Sequence, residues 1–174
     1  SEMLDERTNK AIDTLEQLKI EDGAVVLGDV RGDQMSLNAI WSSNTPVTTI
    51  TTEDTCKILT LSNSTSSTGI YQIAPKGFTN TGSGEVYAHL EYEVLECESG
   101  AGVFRDNNAG LYFPITVGEH ECTYKTSSTG GYALKYEIRV NAGHTISIRF
   151  KRVSILDFAN MNFNAVDVKH YFNA

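Results

Sequence analysis

The stretch that decides the fold runs Tyr132-Ala133-Leu134-Lys135-Tyr136-Glu137-Ile138-Arg139-Val140, then Asn141-Ala142-Gly143-His144, then Thr145-Ile146-Ser147-Ile148-Arg149-Phe150-Lys151. In the first part Tyr132, Leu134, Tyr136, Ile138 and Val140 alternate with Ala133, Lys135, Glu137 and Arg139. In the last part Ile146, Ile148 and Phe150 alternate with Thr145, Ser147, Arg149 and Lys151. Successive side chains of a strand point to opposite faces, so each part reads as a strand with one side on a core and the other towards water. Asn and Gly in the linking residues suit the positive φ of a tight turn, and the two strands are expected to pair as a hairpin.

The same period recurs upstream, where Val86, Ala88, Leu90, Tyr92 and Val94 oppose Tyr87, His89, Glu91 and Glu93. Further short strands are expected around 56–61, 69–74, 103–105, 111–117, 121–126 and 153–158, separated by Gly-, Ser- and Asn-rich turns. That many short antiparallel strands define an all-β chain, an antiparallel β-sandwich or jelly roll. The polar runs 62–68 and 79–84 are expected as solvated loops, the first carrying the sequon Asn63-Ser64-Thr65.

The N-terminal residues differ in texture. Leu4, Thr8, Ala11, Leu15 and Leu18 recur at alternating steps of four and three in a segment without Gly or Pro, the spacing of a coiled-coil seam. Asp22-Gly23 is a stop signal for it. A helix this short is marginal alone and needs a partner, either copies of itself or its own domain. The chain therefore divides into an oligomerising helix over 1–22, an extended connector with short strands over 23–55, and a sandwich head over 56–174. Within the connector Arg31-Gly32-Asp33 matches a tripeptide of integrin ligands, but Gly-Asp is also ordinary turn chemistry.

A chain of 174 residues has room for one ordinary domain. Its 14 basic and 22 acidic residues give a net charge of −8, which repels phosphate backbones and anionic lipid and argues against nucleic-acid binding. No apolar run approaches the roughly 20 residues of a membrane span, and no secretory leader is legible. Cys56, Cys97 and Cys122 are too dispersed for a zinc knuckle. They read as mostly buried thiols, with one Cys56–Cys97 or Cys97–Cys122 bridge as the alternative.

Catalytic signatures are absent from the sequence. His89, His120, His144 and His170 lie in separate segments without metal-ligand spacing, and there is no nucleophile elbow or phosphate loop. Paired-carboxylate glycoside chemistry would draw on acidic residues such as Glu91, Glu93, Glu96 and Glu98; Glu91 and Glu93 share an outward strand face, an arrangement far more often just solvated. Binding is better supported. Trp41, Tyr87, Tyr112 and Tyr124, read as outward or loop-borne, offer flat faces to sugar rings, while neighbouring Asn, Asp and Glu bond hydroxyls. For Trp41, the single Trp of the chain, a core position is the favoured alternative. Asp106, Asn107 and Asn108 ahead of Gly110 place three oxygen-bearing side chains in a turn, suited to calcium or equally to an Asx-rich loop.

Heptad helix, connector and Gly/Ser/Thr/Asn-rich sandwich together resemble the shaft and head of bacteriophage fibres and receptor-binding proteins. The segment from Tyr132 to Phe158 also looks like the closing strands of jelly-roll carbohydrate-binding modules. The first resemblance implies a homotrimer on the virion surface whose heads attach, without catalysis, to a cell-surface glycan. The alternatives are a capsid-decoration or fibre protein without a ligand, and an extracellular carbohydrate-binding module of a secreted enzyme.

Overall fold

The structure is a computed structural model and describes residues 24–76, 85–127 and 132–158. The expected helix with Leu4, Thr8, Ala11, Leu15 and Leu18, and the loop 79–84, lie outside the described residues. The described chain forms β1 (Ala24–Arg31), β2 (Ala39–Ser43), β3 (Val47–Thr52), β4 (Lys57–Ser62), β5 (Gly69–Ile73), β6 (Glu85–Cys97), β7 (Gly102–Asp106), β8 (Leu111–Phe113), β9 (Gly118–Ser127), β10 (Tyr136–Val140) and β11 (Thr145–Phe158). All pairings are antiparallel. One sheet has the order β3-β4-β11-β6-β9, with β1 on the second half of β11; the other has the order β2-β5-β10-β7-β8. The two form a β-sandwich, as the alternation implies.

Inward-pointing residues come from the strands that the sequence marked: Val86, Ala88, Leu90, Tyr92 and Val94 of β6, Ile146, Ile148 and Phe150 of β11, and Tyr136, Ile138 and Val140 of β10 are all buried. Aromatic rings knit the two layers. Phe104 of β7 meets Tyr92 and Phe150 of the facing sheet edge-on, with centroids 5.3 and 5.8 Å apart, an arrangement favoured by the ring quadrupoles.

Three expectations are corrected. First, Asn141 to His144 does not close a hairpin: β10 pairs β5 and β7 in one sheet, whereas β11 pairs β1, β4 and β6 in the other. The turn hands the chain across the core. It is held by Asn63, whose backbone N–H donates to the His144 carbonyl and whose carbonyl accepts from Gly143 N. Its buried amide donates to the Val140 carbonyl at 2.9 Å. The sequon asparagine is thus a buried pin, while residues 64–68 are exposed as expected.

Second, the two runs 145–151 and 153–158 form one strand, β11, interrupted by a bulge between Phe150 and Arg152. The extra residue shifts parity, so Phe150 and Val153 both point inward. Third, β1, β2 and β3 of the 23–55 segment pair into both sheets and are part of the sandwich rather than a link to it. Arg31-Gly32-Asp33 forms the corner where β1 ends in a 3-10 turn. A methyl on buried Gly32 would overlap the Phe150 carbonyl and the Cys56 backbone, so close packing explains this glycine.

Candidate functional site

The outer face of the five-stranded sheet carries one continuous row of chemistry. Pairing registers align Trp41 with Gln72, Gln72 with Glu137, Glu137 with Arg105, and Arg105 with Tyr112, one residue from each of β2, β5, β10, β7 and β8. Trp41 is 50% and Tyr112 58% exposed, so an aromatic stands open to water at each end. Four inter-strand steps separate them, about 19 Å at the usual strand spacing. A neighbouring row, Ser43, Ile70, Arg139 and Val103, runs alongside.

Trp41 reaches this face because β2 is irregular. Ala39 pairs Ile73 but Trp41 pairs Gln72, leaving Ile40 as an extra residue. With regular pairing Trp41 would stand opposite Tyr71, which is buried in the core, and would share its inward direction. The bulge therefore overturns the core reading of Trp41.

Between the aromatics lies a polar network centred on Glu137, which is 2% exposed although it belongs to the outer face. Gln72 Nε2 donates to its Oε1 at 2.8 Å, and the Nε groups of Arg105 and Arg139 donate to its Oε2 at 2.6 and 2.9 Å. Burial alone would push the Glu137 carboxyl up, but these three donors outweigh it and hold the group below the ordinary glutamate value. Arg105 also donates to Asn107 Oδ1 at 2.9 Å and lies 5.8 Å from the Tyr112 ring centroid, a cation–π contact that orients the exposed phenol. The bond to Glu137 raises the Arg105 guanidinium further above its already basic range. Two arginines against one carboxylate leave the face with a formal charge of +1 on a chain of net −8.

The other expected residues lie elsewhere. Tyr124 points inward from β9; its hydroxyl donates to Asp106 Oδ2 at 2.6 Å and contacts the Tyr136 hydroxyl at 3.2 Å. Burial, with Tyr136 and Asp106 beside it, drives that phenol far above its ordinary range. It is a tether between the sheets, not an outward aromatic. Tyr87 belongs to β6 of the opposite sheet and is 3% exposed, so it does not join Trp41 and Tyr112.

The Asp106, Asn107 and Asn108 turn is likewise internally bonded. Asp106 Oδ1 accepts the N–H groups of Asn108 and Ala109, and Asn107 Oδ1 accepts Arg105. Asp106 is fully buried, and burial raises its carboxyl above the ordinary value despite these bonds. The Asx-loop reading accounts for the geometry, and the Asp106 and Asn107 oxygens nominated for calcium are engaged by protein donors. Glu93 pairs Arg149, and the Cys56, Cys97 and Cys122 thiols are unbridged.

Gln72, Arg105, Glu137 and Arg139 escaped the sequence reading because polar residues on alternating strands look like ordinary solvated positions. Their convergence depends on registers that join three segments distant in the chain. The one available signal was Arg139 two residues beyond Glu137, on the same face of the same strand.

No family model matches the chain, and no curated protein matches it. Similar solved structures include carbohydrate-binding modules and parts of longer proteins such as PfGH50B. The C-terminal CBM6 of LamC, a marine laminarinase from Zobellia galactanivorans, is 11% identical with a TM-score of 0.37, covering 77% of this chain and 99% of that one. The low-affinity xylan binding module CBM86 from Roseburia intestinalis is 10% identical with a TM-score of 0.42, covering 75% and 93%. PfGH50B is 11% identical with a TM-score of 0.45; the similarity covers 75% of this chain and 23% of that protein.

Proposed function

We propose that the protein is a non-enzymatic glycan-binding domain that holds a short oligosaccharide across the outer face of its five-stranded sheet. The observation that carries this reading is the row Trp41, Gln72, Glu137, Arg105, Tyr112, with an exposed aromatic at each end and a fixed hydrogen-bonding network between. Flat apolar rings at the ends stack on sugar C–H faces, and the amide and guanidinium groups in the middle, held by buried Glu137, fix hydroxyl orientation. Because Glu137 already locks Gln72, Arg105 and Arg139 in place, little side-chain entropy is lost on binding.

A glycan array followed by titration tests this. Trp41→Ala and Tyr112→Ala are each expected to weaken the best array ligand about tenfold, near the contribution of one aromatic stack plus its buried area. Ligand binding is also expected to perturb the fluorescence of the single Trp. Undiminished binding by the double variant, or an array without a single retained glycan, would sink the proposal.

The finer proposal is presentation as a homotrimer at the virion surface, supported by the heptad spacing of Leu4, Thr8, Ala11, Leu15 and Leu18. Several heads held together multiply weak single-site affinity. Light scattering behind a sizing column is expected to give a mass near three times 19.1 kDa. A monomer would instead favour a carbohydrate-binding module attached to a secreted enzyme.

A further inference from the structure

The opposite sheet carries a second cluster on its outer face, remote from the row. Register places Glu91 of β6 directly across from Glu121 of β9, and His89, two residues earlier on β6, across from Thr123. One ligand atom from each of His89, Glu91 and Glu121 lies within 4.8 Å of the others. We propose that these three side chains form a zinc site, with water completing the coordination.

The distances suit such an ion. Zinc bonds to nitrogen and oxygen of about 2.1 Å at a tetrahedral angle put neighbouring ligand atoms about 3.4 Å apart. His89 Nε2 and Glu91 Oε2 are 3.3 Å apart, close to that spacing. Glu121 is exposed and its carboxylate lies within 4.8 Å of both. His89 is fully buried, so its ring is held in one place by the surrounding strands.

The other ring nitrogen is also occupied in the way metal-bound histidines require. His89 Nδ1 lies 2.7 Å from Thr123 Oγ1, a contact that orients the ring and directs Nε2 towards the carboxylates. Electrostatics agree. Arg152, whose Nη1 lies 3.7 Å from Glu91 Oε2, donates from Nε to Asp29 at 2.9 Å, and Lys151 pairs with Glu119. Arg31 also pairs with Asp29, so Asp29, Glu91, Glu119 and Glu121 against Arg31, Lys151 and Arg152 leave a net charge of −1, which favours a cation. One imidazole with two carboxylates selects zinc over calcium and magnesium, which favour all-oxygen shells.

The test is calorimetric titration of zinc chloride into the chelator-stripped full chain, paired with thermal melts. One saturable site per chain is expected at micromolar zinc, with a melting midpoint that rises on zinc addition. Glu121→Gln, a change at an exposed position, is expected to weaken binding more than tenfold and abolish the rise. Thr123→Val is expected to weaken it about tenfold through loss of ring orientation. His144→Ala is the control, since His144 and Glu98, 3.6 Å apart, form the other histidine–carboxylate pair among the described residues. Wild-type titration by Glu121→Gln, loss of the site in His144→Ala, equal binding of calcium, or no saturable zinc would each overturn the proposal.

Discussion

At Glu137 a single buried carboxylate satisfies an amide and two guanidinium groups, so its removal strands charges rather than merely deleting a contact. Glu137→Ala is expected to lower stability by about 2 kcal/mol, less than a fully buried pair would lose because Arg105 and Arg139 keep some exposure to water. Denaturant titration measures it. The group's folded pKa lies below its ordinary 4.5, so its stabilisation is complete above that value and disappears as pH falls through the lower folded value. Glu137→Gln is therefore expected to be less acid-sensitive than the wild type below about pH 4.5; equal loss of stability between pH 5 and 3 in both would contradict this. Sequence revealed such residues unevenly. Tyr112 was identifiable as an exposed aromatic, whereas Tyr124 and Glu137 each lie on the side of burial opposite to what their polarity suggests, because partners from other strands satisfy them.

Among the elements, alternation located the strands well and failed where a strand gains one residue. β11 reads as two strands because the bulge after Phe150 breaks its period, and the direction of Trp41 was left open between outward and core because the extra residue Ile40 shows only in the β2–β5 register. A bulge leaves no compositional mark here, since neither Ile40 nor Lys151 is a glycine. The parity argument yields a direct experiment. Deleting Ile40 places Trp41 directly after Ala39 and still opposite Gln72, so the bulge is expected to vanish with Trp41 left on the outer face. Tryptophan emission and glycan retention should both stay close to the wild type. An emission shift to shorter wavelength would show that β2 slips its register instead and turns Trp41 inward.

On the scale of the whole molecule, the sandwich was legible because its inward faces are apolar, but the order of strands was not. Nothing in Asn141 to His144 distinguishes a turn that closes a hairpin from one that crosses between layers; the partners of β10 and β11 decide it, and they lie far away in sequence. The site inherits that limit, since its row exists only once five strands are ordered. The placement of β11 also governs how the protein comes to be folded. It lies inside its sheet, flanked by β4 and β1 on one side and β6 on the other, yet follows every other described strand in the chain. Until it is synthesised, β4, β6 and β1 present unsatisfied backbone edges that can recruit neighbouring chains. Dilution from denaturant is expected to give refolding in milliseconds to seconds, the range of sandwiches dominated by non-local pairing, with no structured fragment when residues from 145 onward are missing. A fragment of residues 1–144 with cooperative melting would refute this. The protein's period of greatest aggregation risk is therefore the part of its synthesis before the strand that closes the sheet emerges.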